Sequence, residues 1–167
     1  MKICVVQTKP ITGDIQSNID RHKKFIALAV SNGANAIVFP ELSLTGYEPE
    51  LARELATDQE DSRFDGFQNL SDTERITIGV GVPIEIDAGI CIGMIVFQPH
   101  QKRHTYFKKY LHVDEEPFFV DGQHSENLIG DKTHIALAIC YELSVPEHAE
   151  GAFKNGAEIY IASVAKF

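Results

Sequence analysis

The chain has 167 residues, of which 44% are hydrophobic and 23% charged, and this balance is typical of one globular domain over residues 1–167. Its formal net charge of -9 argues against a nucleic-acid partner and an anionic membrane surface, and no apolar stretch has the length of a bilayer span. Three widely spaced cysteines, Cys4, Cys91 and Cys140, favour a reducing, cytoplasmic setting over a disulfide framework or a zinc site.

The first part of the chain predicts a strand, a long helix and a second strand. Residues 2–6 are rich in Ile and Val, which is typical of a buried strand. Apolar residues at helical spacing over 15–30 predict a helix. A short apolar run over 36–39 predicts the second strand, which ends at Pro40. The acidic residues 48–73 predict helical pieces with a solvated face.

In the middle of the chain the hydrophobic pattern changes to that of strands. Residues 76–86 predict a strand that is interrupted by Gly79, Gly81 and Pro83, and we expect a kink at the two glycines. A hairpin-type turn then leads into a strand over 89–97, and residues 105–110 predict a third strand. These strands are therefore expected to have some hairpin-like connections.

The last part of the chain predicts a loop followed by a strand, a helix and a strand. Residues 114–122 have the composition of a loop, and 134–139 form an apolar strand that leads directly into Cys140. Residues 146–154 predict a helix, and 159–164 a final buried strand. This mixture favours an α/β fold, a sheet with helices packed on it, over a helical bundle or an all-β sandwich.

Three reactive side chains follow three different predicted strands. Glu41 follows the strand over 36–39, Lys108 follows the strand residues 105–107, and Cys140 follows the apolar strand over 135–139. Active sites of sheet proteins often lie at strand ends, so an acid, a cation and a thiol could converge in one pocket. Backbone N–H groups where the strand meets the next helix could then hold an oxyanion.

Each of these residues also has a simpler interpretation. A cysteine after an apolar strand is more often a small buried hydrophobe than a nucleophile. Glu41 could be a solvated loop acid, although its apolar neighbours would raise the pKa of a carboxyl group. Lys108 could be a surface lysine, and strand alternation alone allows either Lys108 or Lys109 to point inward.

Three segments together resemble the signature motifs of the nitrilase superfamily, the carbon–nitrogen hydrolases. They are FPELSLTGY at 39–47, YFKKYLH at 106–112, and ICYEL at 139–143 followed by Pro146-Glu147. They occur in the family's order, and the resemblance extends over the whole chain. It implies a nitrilase-type α-β-β-α sandwich, of which the C-terminal part is missing from this chain, so we expect the domain to continue beyond residue 167.

The resemblance also assigns roles to individual residues. It implies a catalytic triad of Glu41, Lys108 and Cys140, and the family's Lys-x-x-Leu spacing selects Lys108 over Lys109. It implies a supporting glutamate ahead of two aromatic residues, for which Glu115 fits better and Glu116 is the second choice. The backbone N–H of Tyr141 would be an oxyanion donor.

The expected activity is hydrolysis of a non-peptide carbon–nitrogen bond in a small amide, a nitrile or an N-carbamoyl compound, through a cysteine thioester. The resemblance implies no metal and no organic cofactor, and it implies a homodimer or higher homo-oligomer. His100 and His104 are four residues apart, but Pro99 and the neighbouring strand disfavour a helical metal pair there.

Two alternatives belong to other functional classes. One is a truncated, non-catalytic nitrilase-like domain that binds a ligand or a partner, and it would be supported if the three reactive side chains lay far apart. The other is an unrelated thiol hydrolase or redox protein that uses Cys140 with a histidine. That alternative requires a histidine beside the thiol, and the sequence indicates no obvious one.

Overall fold

The computed structural model describes residues 1–122, 128–130 and 133–165, and within these ranges the fold is α/β. Strands and helices follow each other as β1 (Ile3–Val5), α1 (Ile15–Ser31), β2 (Ala36–Val38), α2 (Ala52–Leu55), α3 (Asp65–Glu74), β3 (Thr77–Ile86), β4 (Gly89–Phe97), β5 (His104–Phe107), β6 (Leu128–Ile129), β7 (Ile135–Ile139), α4 (Pro146–Lys154) and β8 (Ile159–Ser163).

Five strands form the first sheet, in the order β1-β2-β3-β4-β5. The first three strands are parallel, because α1 and the segment containing α3 carry the chain back across the sheet between them. Strands β3 and β4 form a long antiparallel hairpin, and β5 pairs antiparallel with β4. The predicted change from a helix–strand alternation to hairpins is therefore confirmed.

Side-chain alternation in the sheet gives it two buried faces. On one face β3 residues pack with apolar residues of α1 and α3, among them Ile19, Ile26 and Phe67. On the other face Ile92, Met94 and neighbouring residues pack against the second sheet, whose strands lie in the order β6-β7-β8. The first sheet thus lies between a helical layer and a second sheet, as in the predicted α-β-β-α sandwich.

The second sheet explains why the strand before Cys140 is apolar throughout. All five residues of β7 are buried, and β7 pairs parallel with β8 after the connection through α4. A strand buried on both faces reads as a continuous hydrophobic run rather than an alternating one. Among the described residues no helix combines the length and the apolar character needed to cross a membrane.

Two sequence predictions about the strands were wrong in detail. Strand β3 runs without interruption through Gly79 and Gly81, and both glycines serve close packing rather than a kink. The strand predicted over 105–110 ends at Phe107, with one further ladder bond from the Lys108 N–H to the Ile92 carbonyl at 2.9 Å. The N–H groups of Lys109 and Tyr110 donate instead to the buried carboxylate of Glu142, so the chain leaves the sheet.

Candidate active site

Glu41 lies in a tight loop that follows β2 and crosses over β3. The loop is closed by backbone hydrogen bonds, including Gly46 N–H to the Leu42 carbonyl at 2.8 Å, and it is tied to the sheet by Leu44 N–H to the Gly81 carbonyl at 3.0 Å. Leu42 has a φ of +50°, a left-handed conformation that is uncommon for a residue with a side chain. Glu41 is held by this loop and is buried.

Two polar residues of α1 hold this loop from the helical side of the sheet. The Asn18 amide donates to the Leu44 carbonyl at 3.0 Å. The His22 ring lies 3.9 Å from the Phe39 ring, and its Nδ1 donates to the Asn18 carbonyl at 2.7 Å. Its Nε2 accepts from the Ser43 hydroxyl at 2.9 Å. A ring that donates at one nitrogen and accepts at the other is neutral.

The neutral state of His22 predicts a loss of stability in mild acid. Burial lowers the pKa of His22 from 6.5 to about 4, so below pH 6.5 the unfolded chain takes up a proton that the folded chain does not. The stability it contributes is complete above pH 6.5 and falls by roughly 3 kcal/mol as the pH drops toward 4. Urea unfolding at pH 7 and pH 5 should show this loss.

The matched variants are His22→Gln and, at an exposed position, His134→Gln. We expect His22→Gln to reduce the difference in unfolding free energy between pH 7 and pH 5, because the titrating group is gone. His134→Gln should keep the wild-type difference. An unchanged pH dependence in His22→Gln would show that this histidine does not carry the effect.

Lys108 is a fully buried lysine that follows the end of β5. Its Nζ donates to Glu41 Oε1 at 2.8 Å and to Glu115 Oε1 at 2.7 Å. Burial alone lowers the pKa of Lys108, but the charge of Glu41 and the hydrogen bonds to both carboxylates outweigh it and raise the pKa above its usual range. Lys108 therefore keeps its positive charge. Lys109, which strand alternation also allowed to point inward, is exposed.

Glu115 completes the buried cluster from the loop after Lys108. Besides the Lys108 ammonium, its carboxylate accepts from the Tyr47 hydroxyl at 3.1 Å and from the His112 N–H at 2.8 Å. Glu115 is buried, whereas Glu116 is exposed. The geometry thus places Glu115, rather than Glu116, beside the lysine.

Cys140 stands at the junction between β7 and a short 3-10 helix over Cys140–Ser144. Its φ of +46° turns the half-buried residue sharply out of the strand direction. The thiol forms a hydrogen bond with Glu41, and burial together with the nearby Glu41 charge raises the pKa of Cys140 to about 11. The group is therefore a thiol, not a thiolate, at neutral pH, so an attack by sulfur would require a base.

The backbone N–H of Tyr141 belongs to the first turn of that 3-10 helix. The first N–H groups of a helix have no acceptor within it, so they are suited to hold a negatively charged oxygen. The Tyr141 ring is partly exposed and packs edge-on against His112, with ring centroids 5.2 Å apart. Tyr141 and His112 thus lie together beside the thiol and Glu115.

The structure brings the reactive residues from three strand ends into one cluster. Glu41 and Lys108 are joined directly, Glu115 is bound to the same ammonium, and the Cys140 thiol is hydrogen-bonded to Glu41. In the described part of the chain no group of three or more His, Cys, Asp or Glu side chains has an arrangement that could hold a metal ion.

Several supporting contacts were not predicted from the sequence. The Ser163 hydroxyl donates to the Phe39 carbonyl at 2.9 Å, and the Ala165 N–H donates to Glu41 Oε2 at 3.2 Å. The strand β8 and the residues after it therefore hold the glutamate loop from the second sheet. These contacts join residues 124 positions apart, and a local sequence pattern carries no signal for such a pair.

Residues 2–167 match the family described as "Carbon-nitrogen hydrolase". The chain therefore belongs to the carbon–nitrogen hydrolase family, and its resemblance to the nitrilase superfamily is confirmed. The fold is that of a solved amidase from Nesterenkonia sp. AN1, with a TM-score of 0.86 at 23% identity, where the match covers 98% of this chain and 66% of the amidase.

Curated relatives include both amidase-type and nitrilase-type proteins. A hydrolase of Schizosaccharomyces pombe is 28% identical over 164 residues, which cover 90% of this chain and 51% of the relative. An (R)-stereoselective amidase from Pseudomonas sp is 25% identical, with 98% of this chain and 60% of the relative covered. Nitrilase 3 of Arabidopsis thaliana is 23% identical, with 100% and 55% covered. The chain thus spans between half and two thirds of the length of these relatives.

Proposed function

We propose that the protein hydrolyses the carbon–nitrogen bond of a small amide, with Cys140 as the nucleophile and Glu41 as the base. The observation that carries this proposal is the buried Lys108 ammonium, which lies 2.8 Å from Glu41 and 2.7 Å from Glu115. The Cys140 thiol is hydrogen-bonded to the same Glu41. A buried lysine held by two carboxylates is an unusual arrangement for stability alone, because each charge loses its hydration.

The first step forms a thioester. Glu41 takes the thiol proton while the Cys140 sulfur attacks the amide carbon, so a carbon–sulfur bond forms and the carbonyl electrons move to oxygen. The third N–H of the Lys108 ammonium and the backbone N–H of Tyr141 would donate to that oxygen. Removing one such donor typically costs about 3–4 kcal/mol of transition-state stabilisation. Protonated Glu41 then passes its proton to the leaving nitrogen, and ammonia departs.

The second step regenerates the enzyme. Water attacks the thioester carbon while Glu41 takes one of its protons, and the carbon–sulfur bond breaks to release a carboxylic acid. The proton returns to the sulfur, which restores the thiol. Glu115 would hold the Lys108 ammonium in place through both steps, since its Oε1 accepts from that ammonium at 2.7 Å. No metal or organic cofactor takes part in this scheme.

The electrostatics of the cluster suit this order of events. Burial is the main cause that raises the pKa of Glu41, and Lys108 opposes it, so Glu41 is a stronger base than an exposed glutamate. Because the pKa of Cys140 is raised to about 11, the thiol keeps its proton until a substrate is bound. Proton transfer and sulfur attack are therefore coupled.

The similarities support an amide rather than a nitrile or an N-carbamoyl compound as substrate. A mutant of the Nesterenkonia amidase has been solved with the product of Michael addition of acrylamide at its active-site cysteine, and its match covers 98% of this chain. One of the curated relatives is an amidase, although another is a nitrilase. Homo-oligomerisation and a cytoplasmic location stay predictions.

The experiment is a screen of small amides and nitriles for ammonia release by the chain and by two cysteine variants. Cys140→Ala should reduce the rate by at least about 10,000-fold, because the thioester cannot form. Cys4→Ala, at a half-buried thiol in β1, is the matched control and should retain activity. Turnover in Cys140→Ala comparable to that of wild type would rule out the thioester route.

The second candidate function is a non-catalytic domain that binds an amide-like ligand or a partner. The assembled cluster of Glu41, Lys108 and Cys140 argues against it. Binding of amides without ammonia release, in wild type as in Cys140→Ala, would support this second candidate.

A further inference from the structure

A third buried carboxylate, Glu142, lies close to the cluster and has no part in the proposed hydrolysis. Its side chain is fully buried. Oε1 accepts from the backbone N–H groups of Lys109 at 2.6 Å and Tyr110 at 3.3 Å. Oε2 accepts from the Ile139 N–H at 2.7 Å and from the Tyr106 hydroxyl at 2.6 Å. One carboxylate therefore satisfies three backbone donors and one side-chain donor.

The Tyr106 hydroxyl is itself held by a chain of hydrogen bonds. Because it donates to Glu142, it must accept from His148 Nε2, which lies at 2.8 Å. His148 Nδ1 can then accept from the Tyr160 hydroxyl at 2.7 Å. This order fixes the neutral tautomer of His148, and burial, the largest cause, lowers its pKa in agreement. This series of hydrogen bonds joins β5, α4 and β8 to the Glu142 carboxylate.

The backbone groups bound by Glu142 belong to the immediate neighbours of two reactive residues. Lys109 follows Lys108, and Ile139 precedes Cys140. Strand β5 belongs to the first sheet and β7 to the second, so no strand ladder joins them. Glu142 supplies a hydrogen-bonded link across this gap, from within the 3-10 helix that begins at the thiol.

We propose that Glu142 is a positioning residue that fixes the Cys140 thiol and the Lys108 ammonium relative to each other. This inference rests on the proposed function. A carboxylate is required because all four partners are donors, whereas the amide of a glutamine would direct its own N–H groups at one pair of them. In the described part of the chain, the hydrogen bonds of Glu142 go to backbone N–H groups and the Tyr106 hydroxyl, so Glu142 would act through the backbone.

The test compares Glu142→Gln with Glu147→Gln, the same chemical change at an exposed position of α4. Loss of about 1 Å of precision at a reacting centre can cost about 100-fold in rate. We expect Glu142→Gln to lower kcat for amide hydrolysis at least about 100-fold, with KM little changed, in a protein that is still folded at the assay temperature. Glu147→Gln should match wild type. Wild-type kcat in Glu142→Gln would overturn the inference.

A second readout follows the thiol itself and does not require turnover. The probe is 2-chloroacetamide, an amide-shaped electrophile, with alkylation of Cys140 and Cys4 quantified by peptide mass spectrometry. In wild type, Cys140 labelling should depend little on pH between 6 and 8, because Glu41 rather than solvent takes the proton. In Glu142→Gln, labelling should slow at least about 10-fold at pH 7 and rise with pH, as for an unassisted thiol.

The two readouts separate the inference from the proposed function. If wild type releases no ammonia but its Cys140 labelling profile is lost in Glu142→Gln, the proposed function fails and the positioning role stands. If wild type turns over amides and Glu142→Gln keeps the same labelling profile, the positioning role fails alone. Should Glu142→Gln not fold, Tyr106→Phe removes one of the four donors and should lower kcat about 3- to 10-fold at unchanged KM; an unchanged kcat there would contradict the inference.

Discussion

Replacing Lys108 by methionine should abolish amide hydrolysis and lower the free energy of unfolding by about 3–5 kcal/mol. The methionine fills a similar volume but leaves the carboxylates of Glu41 and Glu115 buried without the ammonium that now lies 2.8 and 2.7 Å from them. Two buried carboxylates around one uncharged side chain cannot both stay ionised at low cost. Urea unfolding and ammonia release measure the two effects.

The same variant should show a distinctive dependence on pH. Burial already raises the pKa of Glu41, and removal of Lys108 takes away the largest opposing cause, so the pKa in the folded variant rises further. A carboxyl group with a raised pKa in the folded state stabilises the fold fully below its unfolded-state pKa of about 4.3. This stability is lost as the pH rises through the folded-state pKa. The stability deficit of Lys108→Met relative to wild type should therefore shrink between pH 8 and pH 5.

Lys109→Met is the matched control for this experiment, because Lys109 is the exposed neighbour of Lys108. It should change the free energy of unfolding by no more than about 0.5 kcal/mol. Comparing both variants with wild type at each pH cancels the acid sensitivity that His22 gives to every version of the chain. A pH-independent deficit in Lys108→Met would show that the buried carboxylates are not its cause.

Replacing Gly81 by alanine should displace the glutamate loop. A Cβ at this position would lie 2.4 Å from the Leu42 nitrogen and 2.5 Å from the Pro40 oxygen, and both are backbone atoms that cannot rotate away. The loop that carries Glu41 must therefore move off β3. We expect a fall in kcat of at least about 100-fold and a loss of stability of about 1–3 kcal/mol from overpacking.

Gly151→Ala is the opposite case and serves as the control. Gly151 lies in α4, and an added Cβ would meet nothing within 4 Å. Alanine is favoured over glycine inside a helix, so this variant should be about 0.5–1 kcal/mol more stable than wild type, with unchanged kinetics. Thermal unfolding and kcat for both variants give the comparison. Equal kcat in Gly81→Ala and wild type would show that the loop tolerates the displacement.

Much of the fold could be predicted because its signals are local. The helix expected over 15–30 is α1, and the long strands and their hairpin follow directly from alternating apolar residues and a turn at the predicted place. The strand expected over 105–110 was too long, since Glu142 takes its N–H groups out of the ladder. The strand β6, two residues long, has no pattern that a sequence could show.

The candidate site was predictable to a different degree for each residue. Local patterns placed Glu41, Lys108 and Cys140 at strand ends but left each of them with a simpler alternative. Only the Lys-x-x-Leu spacing of the family motif distinguished Lys108 from Lys109. The roles of Ser163 and Tyr106 could not be predicted, because each depends on a partner brought close by the packing of two sheets. Long-range hydrogen bonds leave no local period in a sequence.

The protonated resting state of Cys140 has a consequence for its durability. Peroxide oxidises thiolates rather than thiols, and a pKa of about 11 leaves only a minute fraction of this sulfur as thiolate near neutral pH. Under the proposed function, burial and the nearby Glu41 charge would thus keep the sulfur in its least oxidisable form between turnovers. A reactive cysteine that depends on an ion pair with histidine, already present as thiolate, has no such protection between turnovers.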